Sequence, residues 1–245
     1  MSRFSEAQLE ILADPEALAR RAADWLLAAA LAAPGLFAVA LSGGSTPRRL
    51  YEHLAAAPYR EAFPWPRVHW FWGDERFVPK ADRRSNEHMA REALLSRVPV
   101  PPEHIHPIPT EGLDAATAAT AYERDLQGFY GAARLAPVRP LFDAMLLGLG
   151  SDGHTASLFP GAAALDEHEH WTAVVAGIQP ETRITLTYPA LASSRRTAFL
   201  VEGTEKRAIL KRLRAVPDET LPAARLNPVG ALWIFADRAA AEGLA

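Results

Sequence analysis

The sequence predicts an α/β protein in which a mostly parallel sheet is covered by helices on both faces. Short apolar runs suited to buried strands alternate with segments whose apolar residues recur at helical spacing. Three of the apolar runs are followed at once by loops rich in glycine and polar residues. Since parallel α/β folds bind ligands at the carboxyl ends of their strands, these three loops are the candidate functional segments.

The composition is that of an ordinary globular protein. The 245 residues are 49% hydrophobic and 22% charged, which suffices for a sizeable core. A formal net charge of −3 offers no general attraction for nucleic acid, and the absence of cysteine excludes disulfides and thiolate metal sites. No cleavable signal or membrane-spanning run is visible, so we expect a cytoplasmic protein that binds neither nucleic acid nor a membrane.

The alternation of strands and helices follows from local signals. Asp14 before Pro15 supplies a capping carboxylate and a proline in the first helical turn, and a longer helix is expected from Asp114. Two further helices are expected over residues 85–95 and 206–214. The predicted strands are LFAVAL (36–41), VHWFW (68–72), LFDAMLLGLG (141–150), AVVAG (173–177), ITLTY (184–188), AFLV (198–201) and ALWIFAD (231–237).

The first loop, SGGSTP (42–47), has the features of an anion site. We expect a helix with Thr46 as its cap and Pro47 as its first residue, so that its positive end faces the loop. The backbone N–H groups and hydroxyls that would converge there belong to Gly43, Gly44, Ser45 and Thr46. The loop matches neither the Walker nor the dinucleotide fingerprint, and taken alone it could also be a plain tight turn.

The second loop, GDERFVPKADRRSNEH (73–88), places an acid–arginine cluster after a strand. Asp74, Glu75 and Arg76 could form a structural ion pair, yet their position at the sheet edge favours contact with a ligand. Arg76 could stabilise developing negative charge there. Further along the loop, we expect Asn86 to cap the next helix and His88 to lie on the surface.

The third loop, GSDGHTASLFPG (150–161), contains a candidate catalytic histidine. Glycines allow close approach of the backbone to a ligand, and Asp152 and His154 flank Gly153 so that both can face one pocket. Imidazole is the side chain best suited to proton transfer near neutral pH. The sequence therefore favours acid–base catalysis by His154 over a structural role.

Two competing chemistries lack their signatures. The histidine pairs HIH (104–106) and HEH (168–170) do not have the spacing of a zinc site on a helix, and we expect both pairs to be exposed. A serine hydrolase would need a GxSxG elbow, which the sequence does not contain.

The three loops, in this order, resemble the 6-phosphogluconolactonase family. The segments RITLT (183–187) and GTEK (203–206) and a last strand ending in Asp237 extend the resemblance over nearly the whole chain. It implies a single domain over residues 1–245 with a modified Rossmann-like α/β fold. The implied reaction is hydrolysis of 6-phospho-D-glucono-1,5-lactone to 6-phosphogluconate, the second step of the oxidative pentose phosphate route. The small sugar-phosphate lactone is the expected partner, no cofactor or metal is expected, and the chain is expected to be a monomer or weak homo-oligomer.

The resemblance also implies roles for individual residues. His154 would take a proton from water as it attacks the lactone carbonyl, and Asp152 would orient the imidazole. Asp74 and Arg76 would line the site, with Arg76 beside the tetrahedral oxyanion. The phosphate would be held by Gly43, Gly44, Ser45, Thr46, Arg183 and Lys206. By composition alone, Arg183 and Lys206 could equally be surface charges.

Two alternatives remain at this stage. Glucosamine-6-phosphate deaminases look similar through DE in the second loop and DGH in the third, and Asp74 matches their proton-abstracting carboxylate. However, the present chain has Arg76 where they carry tyrosine, and Phe159 where they carry glutamate. A non-catalytic sugar-phosphate-sensing domain would need a DNA-binding segment, for which the stretch before the first predicted strand is too short.

Overall fold

The computed structural model describes residues 3–215 and 220–244. The strands in these ranges are β1 (Gln8–Leu12), β2 (Phe37–Leu41), β3 (Val68–Trp72), β4 (Asp74–Arg76), β5 (Ala144–Gly148), β6 (Thr172–Val175), β7 (Arg183–Leu186), β8 (Arg196–Val201) and β9 (Ala231–Asp237). The α-helices are α1 (Arg3–Glu6), α2 (Pro15–Ala32), α3 (Ser45–Leu54), α4 (Tyr59–Ala62), α5 (Asn86–Ala90), α6 (Ala115–Tyr130), α7 (Tyr188–Ala192), α8 (Arg207–Ala215), α9 (Pro222–Arg225) and α10 (Arg238–Ala241).

The main sheet is parallel, as predicted. Its strands lie in the order β1-β9-β8-β5-β2-β3, and every neighbouring pair runs in the same direction. The interior strand β2 is buried along its whole length, and the bulky rings of Trp70 and Phe71 on β3 are also excluded from solvent. Apolar runs of this kind are expected of strands covered on both faces. The α/β fold class is therefore confirmed.

A second, antiparallel sheet was not predicted. The runs AVVAG and ITLTY do form strands, β6 and β7, but they pair with β4 in the order β4-β7-β6 rather than joining the main sheet. Strand β4 is the DER segment, which we expected to be loop. Its three polar residues carry no apolar signal, so pairing with β7 decides its conformation. Strand β1 was missed as well, because it is a partly exposed edge strand.

Most helix starts are as predicted. The carboxylates of Asp14 and Asp114 accept hydrogen bonds from Ala17 N and Thr117 N, which begins α2 and α6 where expected. The helix predicted over 85–95 starts as α5 and continues as a π-helical turn over Arg91–Leu95. Helix α8 begins one residue later than expected, after a 3₁₀ turn. No helix in the described ranges combines the length and apolar character that crossing a bilayer requires.

The predicted cap of α3 is wrong. The helix begins at Ser45, Gly44 occupies the cap position with φ of 113°, and no side chain caps this end. Pro47 is consequently the third residue of the helix, still within the first turn where a missing N–H is tolerated. Glycine at the cap turns the chain into the helix without a Thr46 hydroxyl contact. The first-turn N–H groups are thereby left without a side-chain cap.

Candidate active site

A cavity of about 400 Å³ opens at the carboxyl ends of four adjacent strands, β3, β2, β5 and β8. All three candidate loops reach it, together with the segment before β7 and the turn after β8. Nine of the ten residues predicted for the site border it, and these are Gly43, Gly44, Ser45, Thr46, Asp74, Arg76, His154, Arg183 and Lys206. Asp152 is the tenth, and it lies outside the lining, hydrogen-bonded to His154. The sheet topology therefore brings the residues that the three loop motifs indicated together with Arg183 and Lys206, which only the family resemblance had selected.

His154 and Asp152 form a hydrogen-bonded pair at the cavity wall. The Nδ1 atom of His154 lies 2.6 Å from Asp152 Oδ1, and the backbone N–H of His154 donates to the same oxygen at 3.1 Å. Burial opposes ionisation, but these hydrogen bonds prevail and lower the pKa of Asp152 below its ordinary value. An ionised carboxylate only accepts hydrogen bonds, so Nδ1 carries the proton and Nε2 is the basic nitrogen. Nε2 makes no hydrogen bond to any described residue.

The turn that carries this pair requires glycine at two positions. A Cβ on Gly150 would lie 2.0 Å from His154 Nδ1, so any side chain there would displace the imidazole. Gly153 has φ of 84° and donates to the carbonyl of Gly150 at 3.0 Å, which closes the turn. On the other side, the Phe159 ring packs 4.5 Å from the imidazole centroid. The ring of His154 is thus held by contacts on several sides.

Two arginines with unsatisfied donors face each other beside the histidine. Arg76 and Arg183 are directly paired across β4 and β7, and both border the cavity. The Nε atom of each is buried and has no hydrogen-bond partner among the described residues. Burial and the neighbouring charge of Arg76 lower the pKa of Arg183 below its ordinary value. Adjacent, partly buried cations with unsatisfied Nε donors are stabilised by an anion, so this face of the cavity is suited to bind one.

The glycine loop supplies a second anion-binding element, with one contact that was not foreseen. The uncapped start of α3 borders the cavity, as does Lys206 from the 3₁₀ turn after β8. The Ser45 hydroxyl, however, donates to Glu202 Oε1 at 3.0 Å, and Arg49 binds the other oxygen of Glu202 at 2.8 Å. Glu202 also borders the cavity and was missed, because its position in the sequence gives no sign of this contact.

Asn86 has a different role from the predicted cap. Ser85 caps α5 by accepting from His88 N, whereas Asn86 is buried and donates through Nδ2 to the carbonyl of Asp74 at 2.8 Å. Its Oδ1 occupies the space that a Cβ on Gly43 would need, only 1.8 Å away. Asn86 therefore lies between the glycine loop and the acid–arginine loop, and it explains why residue 43 is glycine.

The expectation for the histidine pairs was half correct. HEH (168–170) is exposed, but His104 and His106 are half-buried. His106 lies between His69, at 3.0 Å, and the Asp125 carboxylate, also at 3.0 Å. These partners come from β3 and α6, which no local pattern could reveal. No group of three or more histidine or carboxylate side chains in the described part of the chain is arranged to hold a metal ion.

The fold and the cavity define a class of protein: a parallel α/β protein with a cationic anion site next to a histidine–carboxylate pair. Comparison with known proteins assigns the family. Residues 13–234 match the family of glucosamine-6-phosphate isomerases and 6-phosphogluconolactonases, and the chain belongs to that family.

The similarity to individual relatives extends over almost the full length of this chain. A 6-phosphogluconolactonase of Nostoc sp. is 41% identical, with 96% of this chain and 97% of the relative covered. Another, from Synechocystis sp., is 39% identical over 97% of this chain and 98% of the relative. The crystal structure of the 6-phosphogluconolactonase from Leishmania guyanensis superposes with a TM-score of 0.85 at 30% identity, covering 98% of this chain and 99% of the other.

Proposed function

We propose that this chain hydrolyses 6-phospho-D-glucono-1,5-lactone to 6-phospho-D-gluconate, in the oxidative pentose phosphate route. The observation that carries the proposal is the shared cavity, which has a histidine–aspartate pair on one wall and, on another, two arginines whose Nε donors are unsatisfied. Such a cavity can hold a phosphorylated ester and offer it a base. The full-length similarity to proteins named 6-phosphogluconolactonase supports the same reaction.

The proposed mechanism assigns proton transfer to the histidine–aspartate pair and charge stabilisation to Arg76. Nε2 of His154 takes a proton from water as the water oxygen attacks the lactone carbonyl, and Asp152 holds the ring and stabilises the imidazolium. Arg76 stabilises the tetrahedral oxyanion. When the bond from the carbonyl carbon to the ring oxygen breaks, the imidazolium returns the proton to that oxygen. The product is an open-chain acid with a free hydroxyl.

The phosphate would be bound at the other end of the substrate. We assign it to Gly43, Gly44, Ser45, Thr46, Arg183 and Lys206. The uncapped start of α3 and the proximity of two cationic side chains to the cavity support this assignment. To contact a phosphate, the Ser45 hydroxyl would exchange its hydrogen bond with Glu202 for one with the ligand. Fixing the phosphate in this way holds the ester near His154, which accelerates the reaction by orientation.

The surroundings of His154 do not favour the deaminase alternative. Phe159 packs against the imidazole where that activity would place a glutamate, and Arg76 borders the cavity where it would place a tyrosine. We also propose that the whole chain forms one domain, which is supported by the continuous hydrophobic core of the described residues. Cytoplasmic location and a monomeric or weakly oligomeric state stay predictions from the sequence.

A direct assay tests the proposed function. Glucose-6-phosphate dehydrogenase generates the lactone in situ, and its disappearance is followed with and without this protein against spontaneous hydrolysis. We expect clear acceleration, and no release of ammonia from glucosamine 6-phosphate. Equal lactone lifetimes with and without the protein would contradict the enzyme assignment. Binding of 6-phosphogluconate without turnover would instead favour the sensing domain.

A further inference from the structure

The buried hydroxyl of Ser157 connects the histidine loop with the acid–arginine loop. Ser157 is fully excluded from solvent, and its Oγ donates to Asp74 Oδ2 at 2.6 Å. Its backbone N–H donates to the Thr185 hydroxyl at 3.2 Å, and Thr185 is the residue opposite Asp74 in the β4–β7 pair. A hydroxyl-to-carboxylate hydrogen bond of this length is charge-assisted and among the stronger types in proteins.

Asp74 is consequently held at its backbone and at one carboxylate oxygen. Asn86 donates to its carbonyl, and Ser157 donates to Oδ2. The other oxygen, Oδ1, makes no hydrogen bond to any described residue, while the residue borders the cavity. Oδ2 is therefore hydrogen-bonded within the protein, whereas Oδ1 is available to a ligand.

Without the Ser157 hydroxyl, nothing would fix the Asp74 carboxylate with Oδ2 toward the protein and Oδ1 available to a ligand. Residues two apart on a strand share a face, so Asp74 and Arg76 lie on the same side of β4, opposite Thr185 and Arg183 on β7. A carboxylate free to rotate there can pair with a neighbouring guanidinium. Such pairing would neutralise a cation that the substrate or oxyanion needs.

We propose that Ser157 is a positioning residue for the hydrolysis, acting through Asp74. It holds the Asp74 carboxylate in the orientation that presents Oδ1 to the substrate and keeps the carboxylate from pairing with the arginines. This inference rests on the proposed function, because its effect is measured on lactone turnover. Ser157 itself does not touch the substrate, since it lies outside the cavity lining.

The chain contains a matched control for this serine. Ser194 is also fully buried, and its Oγ also makes a hydrogen bond of 2.6 Å, in this case with Thr197 Oγ1. It lies just before β8, whereas the cavity opens at the carboxyl end of that strand. Replacing either serine by alanine removes a fully buried, hydrogen-bonded hydroxyl, with a carboxylate as the partner of Ser157 and a neutral hydroxyl as the partner of Ser194. Only Ser157 is connected to the site.

The test compares Ser157→Ala with Ser194→Ala in lactone turnover and in thermal unfolding. We expect both variants to lose stability, Ser157→Ala somewhat more because its partner is a carboxylate. Only Ser157→Ala should lose about 10-fold or more in kcat, with KM within about threefold, as when a hydrogen bond to a charged group is lost. Lys206→Ala, at the proposed phosphate end, should instead raise KM. Ser157→Cys keeps nearly the same volume with a weaker donor, so it should show the same kcat loss even where alanine impairs folding.

Two results would overturn the inference while wild-type turnover is intact. One is a folded Ser157→Ala or Ser157→Cys protein with kcat within about twofold of wild type. The other is an equal loss of kcat in Ser194→Ala, which would make the effect a general cost of removing a buried hydroxyl. Absence of turnover in the wild-type protein would overturn the proposed function itself, and the inference with it.

Discussion

The two nitrogens of the His154 ring lie in different surroundings. Nδ1 is bound to the ionised carboxylate of Asp152, while Nε2 is free of described partners and available as a base. Asp74 shows the same division, with Ser157 on one oxygen and no described partner on the other. In both side chains, one polar atom is therefore fixed by a hydrogen bond within the protein, and a second polar atom has no described partner. This is the geometry that a preorganised site requires.

Removing the imidazole should affect the chemical step more than binding. We expect His154→Ala to lose about 10²- to 10⁴-fold in kcat, the usual contribution of a positioned base, with a smaller change in KM. The measurement is steady-state hydrolysis of the lactone above its spontaneous rate. His168→Ala, which removes an exposed histidine, is the control and should behave as wild type. Undiminished turnover in His154→Ala would disprove the assigned role.

The side chain of Glu75 links α5 to β4 through hydrogen bonds. Its side chain is 1% exposed and accepts hydrogen bonds from the backbone N–H groups of Arg76, Asn86 and Glu87 and from the Ser85 hydroxyl. Burial raises the pKa of Glu75 to about 7, although these hydrogen bonds oppose the rise. Both of its neighbours on β4, Asp74 and Arg76, border the cavity. Holding this strand in place therefore also holds the acid and the arginine of the site.

Replacing Glu75 with glutamine should destabilise the protein. The amide group of Gln would face donors where a carboxylate oxygen accepted them, so we expect Glu75→Gln to lower the free energy of unfolding by about 1–3 kcal/mol. Urea denaturation measures the loss. Glu52→Gln is the control, because Glu52 pairs with Arg48 on the surface of α3, where both side chains are nearly half-exposed, and it should change stability by less than about 1 kcal/mol. Equal losses in the two variants would argue against the anchoring role.

In the whole molecule, the parallel direction of the strands places the cavity and a cluster of histidines near opposite ends of the sheet. The cavity lies at the carboxyl ends of β3, β2, β5 and β8, whereas His69 is the second residue of β3, near its amino end. The ring of His69 stacks on His104 at 3.9 Å and contacts His106. Burial, followed by the charges of these two histidines, lowers the pKa of His69 to about 4 from 6.5. The neutral ring is thus the form that the fold favours.

Because of this cluster, the free energy of unfolding should depend on pH in the acidic range. Between pH 6.5 and 4 the unfolded chain binds a proton at His69 that the folded chain does not, so folding stability falls as the pH falls. As the pH falls through this range, the free energy of unfolding of the wild type should therefore decrease relative to that of His69→Gln. We expect a shift of roughly 1–2 kcal/mol, since the ring is only partly buried and solvent weakens the effect.

Chemical denaturation at several pH values measures this shift, with His168→Gln as the exposed control. Glu75 titrates over part of the same range in the opposite direction, which is why the comparison with a variant is needed. A wild-type to His69→Gln difference that stays constant from pH 7 to pH 4 would contradict the prediction.

Local features of the sequence account for the fold class, most helix starts and the loops that form the site. These depend on short-range causes: apolar runs that must be buried, capping carboxylates such as Asp14, and glycines placed after strands. Tertiary structure alone decided which groups contact each other across the molecule. Nothing local marks Ser157 as the partner of Asp74, or the DER segment as a strand opposite Arg183, because each contact joins residues about 80 to 110 positions apart. Such contacts exist only after the sheet has brought distant segments together, so no local pattern in the sequence records them.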